Sequence, residues 1–239
     1  MKRKRNPEKI IVWFVLITLI ISVIYVSCML VKSPWNTDSK EPDARTKSDY
    51  SLMLLQCVLG ILAMFLPGLL EHRINVAIPS RMMVMYALFL YGAIYLGEVR
   101  NFYYTIPHWD NILHMFSGGM LGALGFSVVV LLNNTDRVSI NLSPAFVAVF
   151  SFCFAVTIGV FWEVYEYTFD GIFGLNMQKF ALQNGTLLVG REALADTMND
   201  LIIDITGAGI ITFLGYVSLK YKKGWVERLL LRRRHHKGS

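Results

Sequence analysis

Long apolar runs alternate with short polar connections along the whole chain. Six runs stand out, at 10–31, 51–70, 81–99, 111–132, 144–169 and 193–219. A helix needs about 20 mostly apolar residues to cross a bilayer, and these runs fit that length. The first is the cleanest, the fourth is rich in glycine, and the fifth and sixth carry acids. Between them lie a charged loop at 32–50 with two prolines, short connections at 71–80 and 133–143, and a longer one at 170–192. Phe173, Phe180, Leu182 and Leu187 give that last connection the look of a re-entrant or interfacial segment, or a lid. The pattern predicts an all-α polytopic membrane protein, a six-transmembrane-helix bundle, forming one integral membrane domain over 1–239.

Composition agrees. Hydrophobic residues make up 54% of the chain and charged residues 17%. Soluble domains carry about 25% charged residues. The shortfall excludes a disordered chain, a nucleic-acid-binding domain and an ordinary cytosolic enzyme. The three cysteines, Cys28, Cys57 and Cys153, sit inside apolar runs without a CxxC spacing, so they read as small core residues. The first run exceeds the apolar core of a signal peptide and no A-x-A-like site follows it, so it reads as an uncleaved span.

The net charge of +6 is unevenly placed. Lys2, Arg3, Lys4, Arg5 and Lys9 precede the first span. Lys220, Lys222, Lys223, Arg228, Arg232, Arg233, Arg234 and Lys237 follow or end the last. With both termini cytoplasmic, sixteen of the 23 Lys and Arg residues fall inside and seven outside. The even number of spans and the positive-inside rule therefore agree, and the partner that this charge meets is the lipid bilayer, not nucleic acid.

The acids break the apolar pattern. Asp110 and His114, four apart, share one face at the outer end of the fourth span. Glu163 and Glu166 lie near the outer end of the fifth span, with Tyr167 beside them. Asp196, Asp200 and Asp204 form a stripe down the sixth span from its outer end, flanked by Asn199. Three helices thus bring six of the chain's 17 acids and one imidazole to the same depth. An ionised acid at mid-membrane costs about 2.5–3.5 kcal/mol on insertion scales, so protons, basic partners, water or a metal ion must offset them. Arg100 and Arg191 sit at the same edge, with Lys179 a weaker third. Carboxylates with a single histidine suit Mg²⁺, Mn²⁺, Ca²⁺ or Zn²⁺.

Each element also has a plainer reading. Asp110, after Pro107, His108 and Trp109, equally suits a helix cap. His114 alone fits a satisfied core histidine, the two glutamates a solvated helix end, and Asp196 the first turn of its helix. Asp200 and Asp204 lie one and two turns deeper and resist such readings. Ser117 has no adjacent base of the kind a serine nucleophile needs.

Three pieces of sequence carry a resemblance: Asp110-Asn111-Ile112-Leu113-His114, Trp162-Glu163-Val164-Tyr165-Glu166, and Asp196-Thr197-Met198-Asn199-Asp200 followed by Gly207-Ala208. In these the chain resembles the YjdF-type bacterial inner-membrane proteins and, more distantly, is similar to the VanZ-like membrane proteins. The resemblance covers about 110–209, and the first three spans by hydropathy alone. It implies a small helical protein of the bacterial plasma membrane, and the VanZ-like branch, associated with glycopeptide resistance, implies the cell envelope. Glu166 and Asp200 stand where that branch is expected to carry Gln and Asn, so this chain is more acidic.

Three functions remain open. In the first, a membrane-embedded enzyme acts on an envelope lipid or lipid-linked substrate. Asp110, His114, Glu163, Glu166, Asp196 and Asp200 then hold a divalent metal ion, and Asp200, Asp204 and Glu166 carry the chemistry. Arg100 and Arg191, with Asn199 and Tyr167, receive the substrate's anionic head group. In the second, a proton- or cation-coupled transporter uses Asp204 and Asp200 as its relay. In the third, a non-catalytic sensor or assembly factor uses the acids structurally.

Overall fold

The computed structural model describes residues 7–33, 45, 47–133, 142–182, 186–225 and 229–233. Of the basic residues counted above, Lys2, Arg3, Lys4, Arg5, Lys40, Arg137, Arg228, Arg234 and Lys237 lie outside that set, as do Pro34 and Pro42 of the charged loop. The elements in order are α1 (Pro7–Lys32), α2 (Lys47–Ile74), β1 (Val76–Ala77) and α3 (Ser80–Leu90), which continues as a π-helical segment (Tyr91–Val99). Then come α4 (Phe102–Thr105), α5 (Trp109–Asn133), α6 (Pro144–Phe173), α7 (Arg191–Lys220) and β2 (Arg232–Arg233).

The all-α, six-span expectation is met. Six helical stretches among the described residues are long and apolar enough to cross a membrane: Glu8–Lys32, Asp49–Arg73, Ser80–Val99, Trp109–Asn133, Pro144–Phe173 and Arg191–Lys220. Each contains the run read from sequence and extends it at one end or both. Helices are what hydrocarbon permits, because a backbone without water must satisfy its own polar groups. The buried hydroxyls obey the same rule. Ser22 donates to the Thr18 carbonyl, Ser151 to Val147 and Thr212 to Ala208, each one turn back in its own helix. The outward faces are apolar: Trp13, Phe14, Ile17, Ile21 and Ile24 on α1 are all exposed.

The chain forms two compact units, Met1–Trp109 with Leu231–Ser239, and Asp110–Leu230. In the first, α1 packs on α2, α3 and the π-helical segment. Val15, Leu16, Leu19, Met64, Ala87 and Leu90 form its core. Pro67 interrupts α2. Proline has no N–H, so the carbonyl four residues earlier, that of Ala63, loses its helical donor. The Tyr86 hydroxyl on α3 supplies the replacement, donating to the Ala63 oxygen at 3.0 Å. Glu98, in the π-helical segment, accepts from Gln56 Nε2 at 3.0 Å, and its carbonyl accepts from Arg45 at 3.1 Å. The short strands β1 and β2 pair antiparallel, Val76 opposite Arg233.

In the second unit, α6 packs along α7. Ser143 caps α6 by accepting from the Phe146 N–H at 3.2 Å, with Pro144 following it in the first turn. The helix ends at Gly174, whose φ of +64° suits a residue without a Cβ and whose N–H returns to the Asp170 carbonyl. The buried stripe of α6 runs Val147, Ser151, Ala155, Gly159, Glu163, Glu166 and Asp170. That of α7 runs Asp200, Asp204, Gly207, Ala208, Thr212, Gly215 and Ser218. Both stripes are small or apolar toward one end and acidic toward the other. Small residues bring α5 and α7 close. A Cβ on Gly207 would lie 2.5 Å from the Met115 carbonyl oxygen, and one on Gly118 2.6 Å from that of Asp204. Away from the acids, Phe126, Val129 and Val147 close the core.

The described residues of the connection from α6 to α7 form a strap that contains no helix. Asn176 closes it, donating to the Ala181 carbonyl at 2.7 Å and accepting from the Ala181 N–H at 2.9 Å. Beyond it Ala181 pairs antiparallel with Leu187. A polar side chain that satisfies its own loop in this way removes the need for a helix there.

Candidate functional site

His114 is the centre of the acidic end of the second unit. Its Nδ1 lies 3.4 Å from Asp204 Oδ2, and its Nε2 lies 3.8 Å from Asp110 Oδ1 and 3.7 Å from Asp200 Oδ2. The first contact is a hydrogen bond that favours the tautomer with the proton on Nδ1. The other two are too long for hydrogen bonds and set Nε2 between two carboxyl groups. Ser117 stands one turn on from His114 and donates to the His114 carbonyl at 3.0 Å and toward Asp204 Oδ1 at 3.4 Å. Asp204 is thus held from two sides. It also occupies space that Gly159 leaves open, since a Cβ there would lie 2.6 Å from Asp204 Oδ2.

A second centre is Lys179, on the strap. Its ammonium bridges Asp110 Oδ2 and Asp196 Oδ1, the latter at 3.2 Å. Burial works against that charge, but the Asp110 carboxylate and then Asp196 outweigh it, and the lysine pKa is raised above its ordinary value. The backbone of Lys179 is left-handed, with φ of +48°. That costs a non-glycine residue about 1–2 kcal/mol, and the surroundings hold it there. Asp170 does much of the holding, for its two carboxylate oxygens accept from the N–H groups of Met177 at 2.8 Å and Gln178 at 3.0 Å. Gln178 in turn donates to Thr197 on α7 at 2.9 Å.

The remaining acids are less well served. Glu166 accepts from Trp162 Nε1 at 2.9 Å. Glu163 is 4% exposed, yet neither of its oxygens accepts a full hydrogen bond, the Thr197 hydroxyl approaching without closing one. Asp200 is 1% exposed, and its Oδ1 is likewise without a hydrogen-bond partner, as is Oδ2 of Asp196. Buried polar atoms are almost always paired, so these oxygens stand out within the cluster. Among the described residues, seven carboxyl groups, those of Asp110, Glu163, Glu166, Asp170, Asp196, Asp200 and Asp204, gather at this end, and two basic side chains, Lys179 and His114, approach four of them.

Three of these side chains could hold a divalent ion. Asp110, His114 and Asp200 each offer a ligand atom, all within 4.8 Å of one another. Ligands about 2.1 Å from a tetrahedral ion lie about 3.4 Å apart, so all three pairs, two of them at 3.7 and 3.8 Å, would have to draw together to enclose one. Asp204 on the far ring nitrogen is the outer carboxylate that metal-ligating histidines commonly carry.

The residues picked out from sequence therefore divide. Asp110, His114, Glu163, Glu166, Asp196, Asp200 and Asp204 gather at one end of the unit. Arg191, Asn199 and Tyr167 lie nearby in sequence but are exposed. Arg100 belongs to the first unit, where it ends the π-helical segment and is exposed. Among the described residues, Lys179 rather than Arg191 takes two of the acids. Asp170 was missed as a site residue, though its spacing from Glu163 and Glu166, at i, i+3 and i+7, carries the same helical stripe one turn further.

Comparison with known proteins agrees with the fold and is silent on chemistry. A 145-residue stretch, 60% of this chain, is 30% identical to an uncharacterized protein of Thermotoga maritima. The match covers 66% of that protein's length, just under two thirds. No solved structure matches. The matches lend no support to the more distant VanZ-like resemblance. The model of the family described as "Predicted membrane protein (DUF2238)" matches residues 11–221, all six spans and the three acidic pieces among them, and the chain belongs to that family.

Proposed function

We propose that this protein is a multi-pass protein of the bacterial plasma membrane whose buried acidic site binds a divalent cation and, with it, acts on a phosphate-bearing envelope lipid. The observation that carries the reading is the placing of His114: Nε2 faces Asp110 and Asp200 while Nδ1 is held by Asp204. Asp110, His114 and Asp200 are the ligands in this reading. The bound ion would polarise a phosphate oxygen or a water molecule. In this reading Glu163, buried and without a full hydrogen bond, accepts a proton from that water. The resemblance to YjdF-type proteins and the excess of Lys and Arg at the termini support a plasma-membrane setting with both termini cytoplasmic and the site toward the outer face.

A cation path through the membrane is less well supported. Beyond Asp204 the inward stripe of α7 is Gly207, Ala208, Thr212, Gly215 and Ser218, and the Thr212 hydroxyl is engaged with the Ala208 carbonyl.

Metal analysis of the detergent-purified chain tests the reading, beside Asp200→Asn and His114→Gln. The expected result is about one ion per chain after loading with Mn²⁺, lost in both variants while their helical content is kept. A wild-type chain that takes up no Mn²⁺, Mg²⁺, Ca²⁺ or Zn²⁺ overturns it. The lipid reading falls separately if the loaded protein leaves phosphate-bearing lipids of a bacterial membrane extract unchanged.

A further inference from the structure

Asp110 has two claims on it. Its Oδ1 faces His114 Nε2, where the proposed cation would sit, and its Oδ2 holds the Lys179 ammonium. A divalent ion drawing on Asp110 and a lysine drawing on the same carboxylate are like charges on one small group, and they repel. The strap nevertheless delivers Lys179 deliberately. Asp170 fixes the two preceding amides, Gln178 is tied to Thr197, and the lysine itself takes a left-handed backbone.

Building on the cation-site reading, we propose that Lys179 is a resident counter-ion that competes with the divalent cation for Asp110, so that cation binding releases Lys179 and loosens strap residues 174–182. The lysine keeps the cluster neutral enough to fold and insert before a cation arrives, because one tethered ammonium partners two of its acids. It also sets the affinity of the site. The ammonium on Oδ2 draws on the same carboxylate charge that a cation on Oδ1 would use, so each weakens the hold of the other. Release frees Asp196 as well, which then carries no basic partner from the strap.

The test uses the full chain in detergent with Mn²⁺ as the probe. Binding is followed by electron paramagnetic resonance for the wild type and for Lys179→Met, which keeps the length of the side chain and removes its charge. The expected result is Mn²⁺ binding about tenfold tighter or more in the variant. Hydrogen exchange of the wild type, with and without Mn²⁺, supplies an arm that needs no variant. Exchange at the Met177 and Gln178 amides is expected to rise when Mn²⁺ binds, while exchange in α5 and α7 falls. Equal or weaker binding by Lys179→Met overturns the proposal and leaves the cation site standing. So does wild-type binding with strap exchange unchanged or slowed. If neither protein binds Mn²⁺, the cation-site reading fails and this inference with it.

Discussion

His114 Nδ1 and Asp204 Oδ2 meet at 3.4 Å across α5 and α7, ninety positions apart in sequence. The pair decides which ring nitrogen is available to a ligand. Asp204→Asn keeps the size of the side chain but replaces the carboxyl group with an amide. The expected outcome is a loss of Mn²⁺ affinity of about 10- to 100-fold, the range typical of outer-shell partners of ligating histidines, with helical content unchanged. Titration of the variant beside the wild type checks it, and an affinity within twofold of wild type would remove Asp204 from the account.

Pro67 and Tyr86 form a second testable pair. The tyrosine hydroxyl replaces the donor that proline cannot supply to the Ala63 carbonyl. Tyr86→Phe leaves that carbonyl unsatisfied, at a cost of about 1–3 kcal/mol. Pro67→Ala restores the helical donor, so the same tyrosine substitution made in that background should cost much less. Thermal or denaturant unfolding of the four proteins in one detergent gives the coupling directly. Equal losses in both backgrounds would show that the hydroxyl does not serve this carbonyl.

Gly207 and Gly68 give a paired prediction about packing. A Cβ at Gly207 would press on the Met115 carbonyl at 2.5 Å and force α5 away from α7, whereas one at Gly68 meets nothing within 4 Å. Gly207→Ala is expected to destabilise the chain by about 1–3 kcal/mol, as overpacking does. It should weaken Mn²⁺ binding too, since Met115 follows His114 directly. Gly68→Ala should lower neither quantity. Melting curves and Mn²⁺ titrations of the two variants decide the point.

The proposed orientation has its own check. A green fluorescent protein fused after residue 239 should fluoresce in bacterial cells, and alkaline phosphatase fused at the same place should be inactive. The reverse result would place the acidic site on the cytoplasmic side. Thiol labelling adds an internal control: Cys57 is buried in the fold, while Cys28 and Cys153 are exposed, so Cys57 should react most slowly in detergent.

The spans were readable in the sequence because hydrophobic length is a local property. Every run from 10–31 to 193–219 falls inside an observed helix. The meeting of α5, α6 and α7 was readable because acids at helical spacing in apolar runs have one sensible destination. What the residues alone did not reveal was non-local. Arg191 was expected to face the acids and is exposed, because a residue at the first position of α7 points according to how the strap enters. Lys179 reaches two aspartates because Asp170 and Asn176 bend the strap, and although Gly174 and Asn176 mark a turn, the residue types do not say which side chain the turn delivers to the acids. The π-helical segment 91–99 was likewise invisible, for its residues are as apolar as those of α3 before it and its two glycines, Gly92 and Gly97, do not specify a π-helical turn.

Three glycines border the His114–Asp204 pair: Gly118 on α5, Gly159 on α6 and Gly207 on α7. Two let helices touch and one gives a carboxylate its room, so the dry seam and the polar site share a single alignment of the helices. Sliding α6 or α7 by one turn, about 5.4 Å, would set a side chain where Gly159 or Gly207 is required. The site therefore cannot migrate up or down the membrane through single substitutions. Variation in this part of the molecule should gather on the lipid-facing flanks, at positions such as Val164, Met198 and Ile202.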